Sequence, residues 1–274
     1  MIGGRRADLA TLDPVEARSP ALVRFFGRVM RRSMARSFHG VRLAKGSRPS
    51  LPDGQAAIVY ANHPSWWDPA FFMVLTRGLF PNRRAFGPID LEALRHYRFM
   101  SRIGLFGVDQ HSSRGAARFL RTAERVLRLP DAILWITPEG GFADPRARPV
   151  RLQPGLAHLV RRCPQAVVVP LALEYAFWDE RFPEAFCRFG EPFVASAVGA
   201  EALSALLEER LMGTMDALAA DVMAREPERF DLLLPGKAGI GGFYDLWRRA
   251  RARLAGERFV PEHGRIGRER SLRP

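Results

Sequence analysis

Residues 56–69 read AAIVYANHPSWWDP. The opening run AAIVYA is apolar and uncharged, and it is too short for a buried helix. It therefore predicts a strand covered on both faces. The run stops at Asn62, and Pro64 and Pro69 bracket the next few residues. A residue ahead of proline is pushed out of the α region, so no continuous helix is expected through His63 and Asp68. On such a helix, side chains five residues apart would stand ~140° away from each other. A bend between the two prolines instead lets Asp68 fold back on the His63 ring. Pro69 is expected at the first helical position with Asp68 as N-cap, opening a helix over 69–79. Strand, bend and helix are the unit of an α/β sheet, whose functional groups gather at the C-terminal ends of its strands.

The same alternation continues along the chain. Short strands are expected near 84–87 and 103–108, and AILWI at 132–136 reads as another buried one. VVVPLALEY at 167–175 is too apolar and β-branched for the surface, and 186–193 reads as a last strand. Ala117, Leu120, Ala123, Val126 and Leu127 recur at helical spacing within 113–128, and further helices are expected over 155–162 and 199–225. The fold class is α/β: a mixed, largely parallel β-sheet covered by helices on both faces, with an N-terminal amphipathic helix.

That helix occupies 20–38, after a stretch, 1–18, without a clear period. Leu22, Phe25, Phe26, Val29, Met30, Met34 and Phe38 share helical spacing, and Arg24, Arg28, Arg31, Arg32 and Arg36 take the other face. No acidic residue occurs between Arg18 and Arg48. A basic amphipathic helix lies in a lipid interface, arginines toward anionic headgroups and aromatics toward acyl chains. Three segments result: 1–48, a basic membrane-contact segment with Arg24, Phe25, Phe26, Arg28, Arg31 and Arg32 as contacts; 49–229, the α/β domain; and 230–274, a basic appendage with a Gly-rich stretch at 236–242 and a helical tail at 243–255.

The formal net charge of +13 over 274 residues calls for an anionic partner: a membrane surface, nucleic acid or an acidic substrate. Only Lys45 and Lys237 are lysines, so a general preference for arginine is an alternative source of that charge beside selection for binding. Two cysteines, Cys163 and Cys187, form no disulfide framework and no metal spacing, which suits a reducing cytoplasm. The N-terminus lacks a secretory apolar core, and no run of about 18 to 20 apolar residues is present to span a bilayer. No helix-turn-helix, zinc-finger or aromatic RNA-binding signature stands out.

Two stretches carry chemistry. A carboxylate on one imidazole nitrogen fixes the tautomer of His63 and frees the other nitrogen to take a proton from a hydroxyl. Nothing near the pair supplies a third metal ligand. ITPEGG, 136–141, also closes an apolar strand, and Arg146, Arg148 and Arg151 come soon after. A carboxylate, Glu139, beside flexible glycines and arginines suits a polar, phosphorylated headgroup.

In this order the motifs resemble the glycerolipid acyltransferase family, the lysophosphatidate acyltransferase-like proteins, over roughly 55–195. NHPSWWD resembles the family's His-x4-Asp block, with His63 as base and Asp68 as its orienting partner. GLFGVD, 104–109, resembles the second block, which contributes to acceptor binding. Pro138-Glu139-Gly140 resembles the third, which holds the acceptor headgroup, and Val168-Val169-Pro170-Leu171 the fourth. FGEP, 189–192, is similar to the strand after the fourth block. Two positions depart: Gln110 stands where the second block closes on arginine, with Arg114 as a substitute, and Gly141-Phe142 stands where the third continues with Thr and a polar residue.

The resemblance implies transfer of a fatty acyl group from acyl-CoA or acyl-carrier protein, as co-substrate, to a hydroxyl of a lysophospholipid or other lipid. His63 and Asp68 are then catalytic; Glu139, Gly140, Arg114, Arg146, Arg148 and Arg151 bind the acceptor; and Trp66, Trp67, Phe71 and Phe72 line the acyl entrance. No metal or redox cofactor is implied. The partners are membrane lipids and the acyl carrier, not nucleic acid, and the place is peripheral, on the cytoplasmic face of the inner or plasma membrane. Two other readings stand beside it: a thioester or ester hydrolase using the same site, and a basic membrane- or nucleic-acid-binding module without enzymatic activity.

Overall fold

In the computed structural model, which describes residues 12–195, 199 and 202–238, the apolar run ahead of NHPSWWD is a strand with all five residues buried. It is the second of eight: β1 Gly40–Ala44, β2 Ala57–Ala61, β3 Arg84–Asp90, β4 Leu105–Val108, β5 Ala132–Ile136, β6 Val167–Ala176, β7 Glu184–Phe189 and β8 Phe230–Pro235. They form one sheet in the order β4-β3-β5-β2-β6-β7-β1-β8. Five neighbouring pairs are parallel, and β6/β7 and β1/β8 are antiparallel. The helices are α1 Pro14–Ala17, α2 Pro20–Ser37, α3 Asp68–Leu79, α4 Leu91–His96, α5 Ser113–Leu127, α6 Gly155–Arg162 and α7 Ala202–Ala224.

Because strand side chains alternate, the central strands feed two cores. Ile58, Tyr60, Leu134 and Val168 face Phe119 and Ala123 of α5, Leu156 and Leu159 of α6, and Leu207 and Leu211 of α7. Ala57, Val59, Ile133, Val169 and Leu171 face Met34 of α2 and Phe71, Val74 and Leu75 of α3. The sheet is thus covered on both faces, as the uninterrupted apolar strands require. β2 runs parallel to β5 on one side and β6 on the other. The loop leaving β2, the loop leaving β5 and the last residues of β6 therefore meet at one rim.

Several boundaries differ from expectation. Gly40–Ala44 and Phe230–Pro235 are paired strands of the sheet, so the breaks expected after 48 and after 229 do not divide it; residues 230–235 are its edge rather than part of an appendage. Both strands are too short and too mixed in polarity, with Arg42 and Asp231 inside them, to announce themselves by pattern. β3 runs on through Pro88 to Asp90. Beyond Phe86 it leaves β5 and pairs with β4 alone, where a residue without a ladder donor is tolerated. The strand expected over 103–108 begins only at Leu105, after a 3-10 turn over Arg98–Ile103. Ahead of that turn lies the unforeseen α4, whose first amides are capped by the Asp90 carboxylate at 2.9 and 3.0 Å. The last expected strand ends at Phe189; Phe193 makes a single bridge to Val168. Residues 239–242 of the Gly-rich stretch and the helix expected over 243–255 lie outside the described residues.

Candidate active site

Asn62 fixes the departure of the chain from β2. It is buried, its amide donates to the Leu173 carbonyl at 3.0 Å, and its side-chain oxygen accepts from the Leu173 N–H at 2.8 Å. This clasp extends the β2/β6 pairing by one residue and delivers His63 to the rim. The bend between the prolines then brings His63 Nδ1 to 2.6 Å from Asp68 Oδ2. The exposures of the two are unequal: His63 keeps 21% of its side chain in solvent, Asp68 none.

Asp68 is the first residue of α3, not its N-cap, and Pro69 is the second helical residue. The carboxylate turns to the bend. Oδ2 also accepts the Ser65 N–H at 3.2 Å, and Oδ1 accepts the Tyr175 hydroxyl at 2.7 Å. Burial and the neighbouring Asp68 push the Tyr175 hydroxyl well above its usual range, so it stays a donor. With carboxylate oxygen facing it, Nδ1 carries the ring proton, and Nε2 is left with a free lone pair.

The loop after β5 holds His63 by its backbone. Glu139 Oε2 accepts the His63 N–H at 2.6 Å, and the Ala143 N–H donates to the His63 carbonyl at 3.0 Å. Gly140 allows the turn, with φ of +82°, a left-handed conformation that side-chain-bearing residues rarely take. Burial pushes the Glu139 carboxyl up, against the His63 N–H and the Arg148 charge, which pull it down. Phe142, largely exposed, sets its ring 4.4 Å from the imidazole, tilted by 43°. A cavity of about 260 Å³ opens beside it, lined by Glu139, Gly141, Phe142, Ala147, Val150 and Arg151 among others. Among the described residues no cluster of His, Cys, Asp and Glu could hold a metal.

The other expected site residues scatter. Arg146 forks onto Asp144 at 2.7 and 2.9 Å. Arg148 meets Asp216 of α7 at 2.5 and 3.1 Å, and Arg151 lies 3.7 Å from Glu208. Arg114 stands in the first turn of α5, after β4, three strands from β2, and is not brought into contact with His63. Of the four aromatics, Trp66 is exposed, Trp67 packs edge-on to Phe38, and Phe72 stacks on Trp135 at 5.0 Å. Phe71 is completely buried against Tyr175 and is core, which corrects its expected place at the entrance. On α2, Arg24, Arg28, Arg31 and Arg32 are exposed. Met34 seals the core and Phe26 stacks on Phe99 at 4.6 Å, while Phe25 and Val29 project into solvent.

Asn62 and Tyr175 are the site residues that sequence reasoning missed. Asn62 was readable as a polar residue closing an apolar strand. Tyr175 lies near the end of β6, and only the pairing of β6 with β2 brings it to Asp68.

Residues 43–174 match the family model described as Acyltransferase. No curated protein matches the chain. Among solved structures, the crystal structure of the 1-acyl-sn-glycerophosphate (LPA) acyltransferase PlsC from Thermotoga maritima has a similar fold, with 17% identity and a TM-score of 0.51. The match covers 73% of this chain and 81% of that one.

Proposed function

We propose that the chain, whose residues 43–174 match the Acyltransferase family model, transfers a fatty acyl group from acyl-CoA or acyl-carrier protein to a lipid hydroxyl, with His63 as general base. The observation that carries this reading is the 2.6 Å contact between His63 Nδ1 and a carboxylate oxygen of Asp68. One partner is sealed in the protein, and the other is open to solvent at a strand terminus.

The chemistry comes from that geometry. Nε2 takes the proton of the acceptor hydroxyl as its oxygen attacks the thioester carbonyl carbon. The imidazolium that forms is stabilised by Asp68, whose own position is set by Tyr175 and Ser65. The tetrahedral intermediate then collapses, the C–S bond breaks, and the thiolate leaves and recovers the proton from His63. General-base help of this kind contributes roughly 10²–10⁴ in rate, and holding the two substrates together contributes up to about 7–11 kcal/mol. No metal or redox group has a step in this sequence.

Contact with the lipid surface falls to α2. Phe25 and Val29 are its large exposed hydrophobic residues, and the arginines around them suit anionic headgroups. None of the described helices is long and apolar enough to cross a membrane, and a peripheral place on the cytoplasmic face of a bilayer fits this division. Mass spectrometry of lipid extracts incubated with the protein and an isotope-labelled acyl-CoA or acyl-carrier protein tests the reading. Labelled ester in the lipid fraction is expected. Labelled free fatty acid alone, formed at the same rate with and without lipid, would establish a hydrolase instead.

A further inference from the structure

Among the described residues, the charged side chains hydrogen-bonded to His63 are negative, although the chain as a whole is strongly positive. Asp68 lies against the imidazole and Glu139 against the His63 backbone. Glu174, at the end of β6, is near enough to Arg146 to feel its charge, and burial pushes its carboxyl up. The three arginines after the Pro-Glu-Gly turn each come with a carboxylate: Arg146 with Asp144, Arg148 with Asp216, Arg151 with Glu208. Among the described residues, each of these three guanidiniums is thus already matched by a carboxylate. Above the imidazole lies not a donor but the apolar ring of Phe142, at 4.4 Å.

A phosphomonoester carries a charge of roughly −1.5 to −2 at neutral pH. In a phosphorylated glycerol acceptor that group is only a few bonds from the reacting hydroxyl. It would arrive beside Glu139 and Asp144 together with the hydroxyl that His63 must deprotonate. Like charges at this range repel, most of all where burial limits screening. Each guanidinium that turned to it would leave its own carboxylate unbalanced.

We infer that the acceptor is an acyl-bearing alcohol with no phosphate next to its reactive hydroxyl, its uncharged body lying along Phe142 and the neighbouring cavity. The inference rests on acyl transfer by His63 and narrows the acceptor for it. Basic charge and substrate choice are then separate functions: arginines outside the site hold the protein to an anionic surface, and an acidic rim selects an uncharged lipid from it.

The test compares 1-acylglycerol with 1-acylglycerol 3-phosphate of the same chain length, in micelles of one neutral detergent, with a single labelled acyl donor. The uncharged acceptor is expected to have a kcat/KM at least ~10-fold higher, a difference of ~1.4 kcal/mol. In the double variant Asp144→Asn, Glu174→Gln, which removes two carboxylates, the gap should narrow several-fold through gain on the phosphorylated acceptor. Equal or faster use of the phosphorylated acceptor by the unaltered protein, or an unchanged gap in the double variant, overturns the inference and leaves acyl transfer standing. Acylation of neither alcohol, with the donor hydrolysed instead, removes the transfer reading and the inference with it.

Discussion

Asp68 accepts from three donors, the His63 ring, the Ser65 amide and the Tyr175 hydroxyl, in a place with no solvent. Removing one of them leaves a lone pair that water cannot reach. A hydrogen bond to a charged group contributes about 1.5–3 kcal/mol, so Tyr175→Phe should lower kcat by roughly 10-fold or more while KM changes little. The readout is steady-state kinetics at saturating donor; an unchanged kcat would mean that Tyr175 is packing only. Glu139 gives a second prediction. Burial raises its carboxyl, so carrying it ionised costs the fold stability, and that loss comes in as pH rises through the raised value. Glu139→Gln keeps an acceptor for the His63 N–H without the buried charge. Its melting temperature at pH 7 should equal or exceed that of the parent, whereas Glu139→Ala should melt lower. The His63–Asp68 pair was legible in the sequence because both residues fall within one proline-bracketed stretch. Tyr175 was not, because it lies 107 residues from Asp68 and nothing local marks it.

At the scale of elements, the site depends on β2 and β6 staying in register past their last shared rung. Asn62 makes both bonds of that clasp, and its loss would strand the Leu173 amide and carbonyl in the core. Asn62→Ala should therefore cost about 2–4 kcal/mol, read by denaturant unfolding, and lower turnover along with it; full stability would show that the rim is held elsewhere. At the same rim β1 and β7 are tied by His39, whose Nδ1 lies 2.6 Å from Glu184, and by Arg42 on the same carboxylate at 2.9 and 3.0 Å. The Glu184 bond raises His39 above its usual value. Burial would raise Glu184, but His39 and Arg42 outweigh it and hold it low. The contribution of a raised histidine is complete below its ordinary value and lost as pH rises through the raised one; that of a lowered glutamate is lost as pH falls. The melting deficit of His39→Gln should therefore be greatest near pH 5–6 and shrink by pH 9. A deficit independent of pH would make the contact steric. These flanking strands were the least legible part of the fold. A five-residue strand such as GVRLA has no period long enough to detect, whereas AAIVYA, AILWI and VVVPLALEY declare themselves by being apolar throughout, which only burial on both faces explains.

For the whole molecule, the fold class came from those central strands, and the placement of charge came only from coordinates. The sequence presents arginines after Pro-Glu-Gly as a headgroup cradle; folding brings them Asp144, Glu208 and Asp216, two of these from a helix more than fifty residues away. The arginines of α2 remain exposed, and each basic residue near an anionic surface contributes about 1 kcal/mol. Changing Arg24, Arg28, Arg31 and Arg32 to Gln should weaken sedimentation with anionic vesicles at least ~10-fold at low salt and leave neutral vesicles unaffected. Equal loss on both would point to damage to the α2–α3 packing. The central claim is that one partly exposed imidazole, aligned by one buried carboxylate, moves the proton in acyl transfer. Its most direct measurement is single-turnover transfer of a labelled acyl group from thioester to lipid alcohol by His63→Ala, with thermal unfolding recorded on the same sample. The account predicts a fall of at least ~10²-fold with a melting temperature close to that of the parent; transfer at the parent's rate by a folded His63→Ala would contradict it.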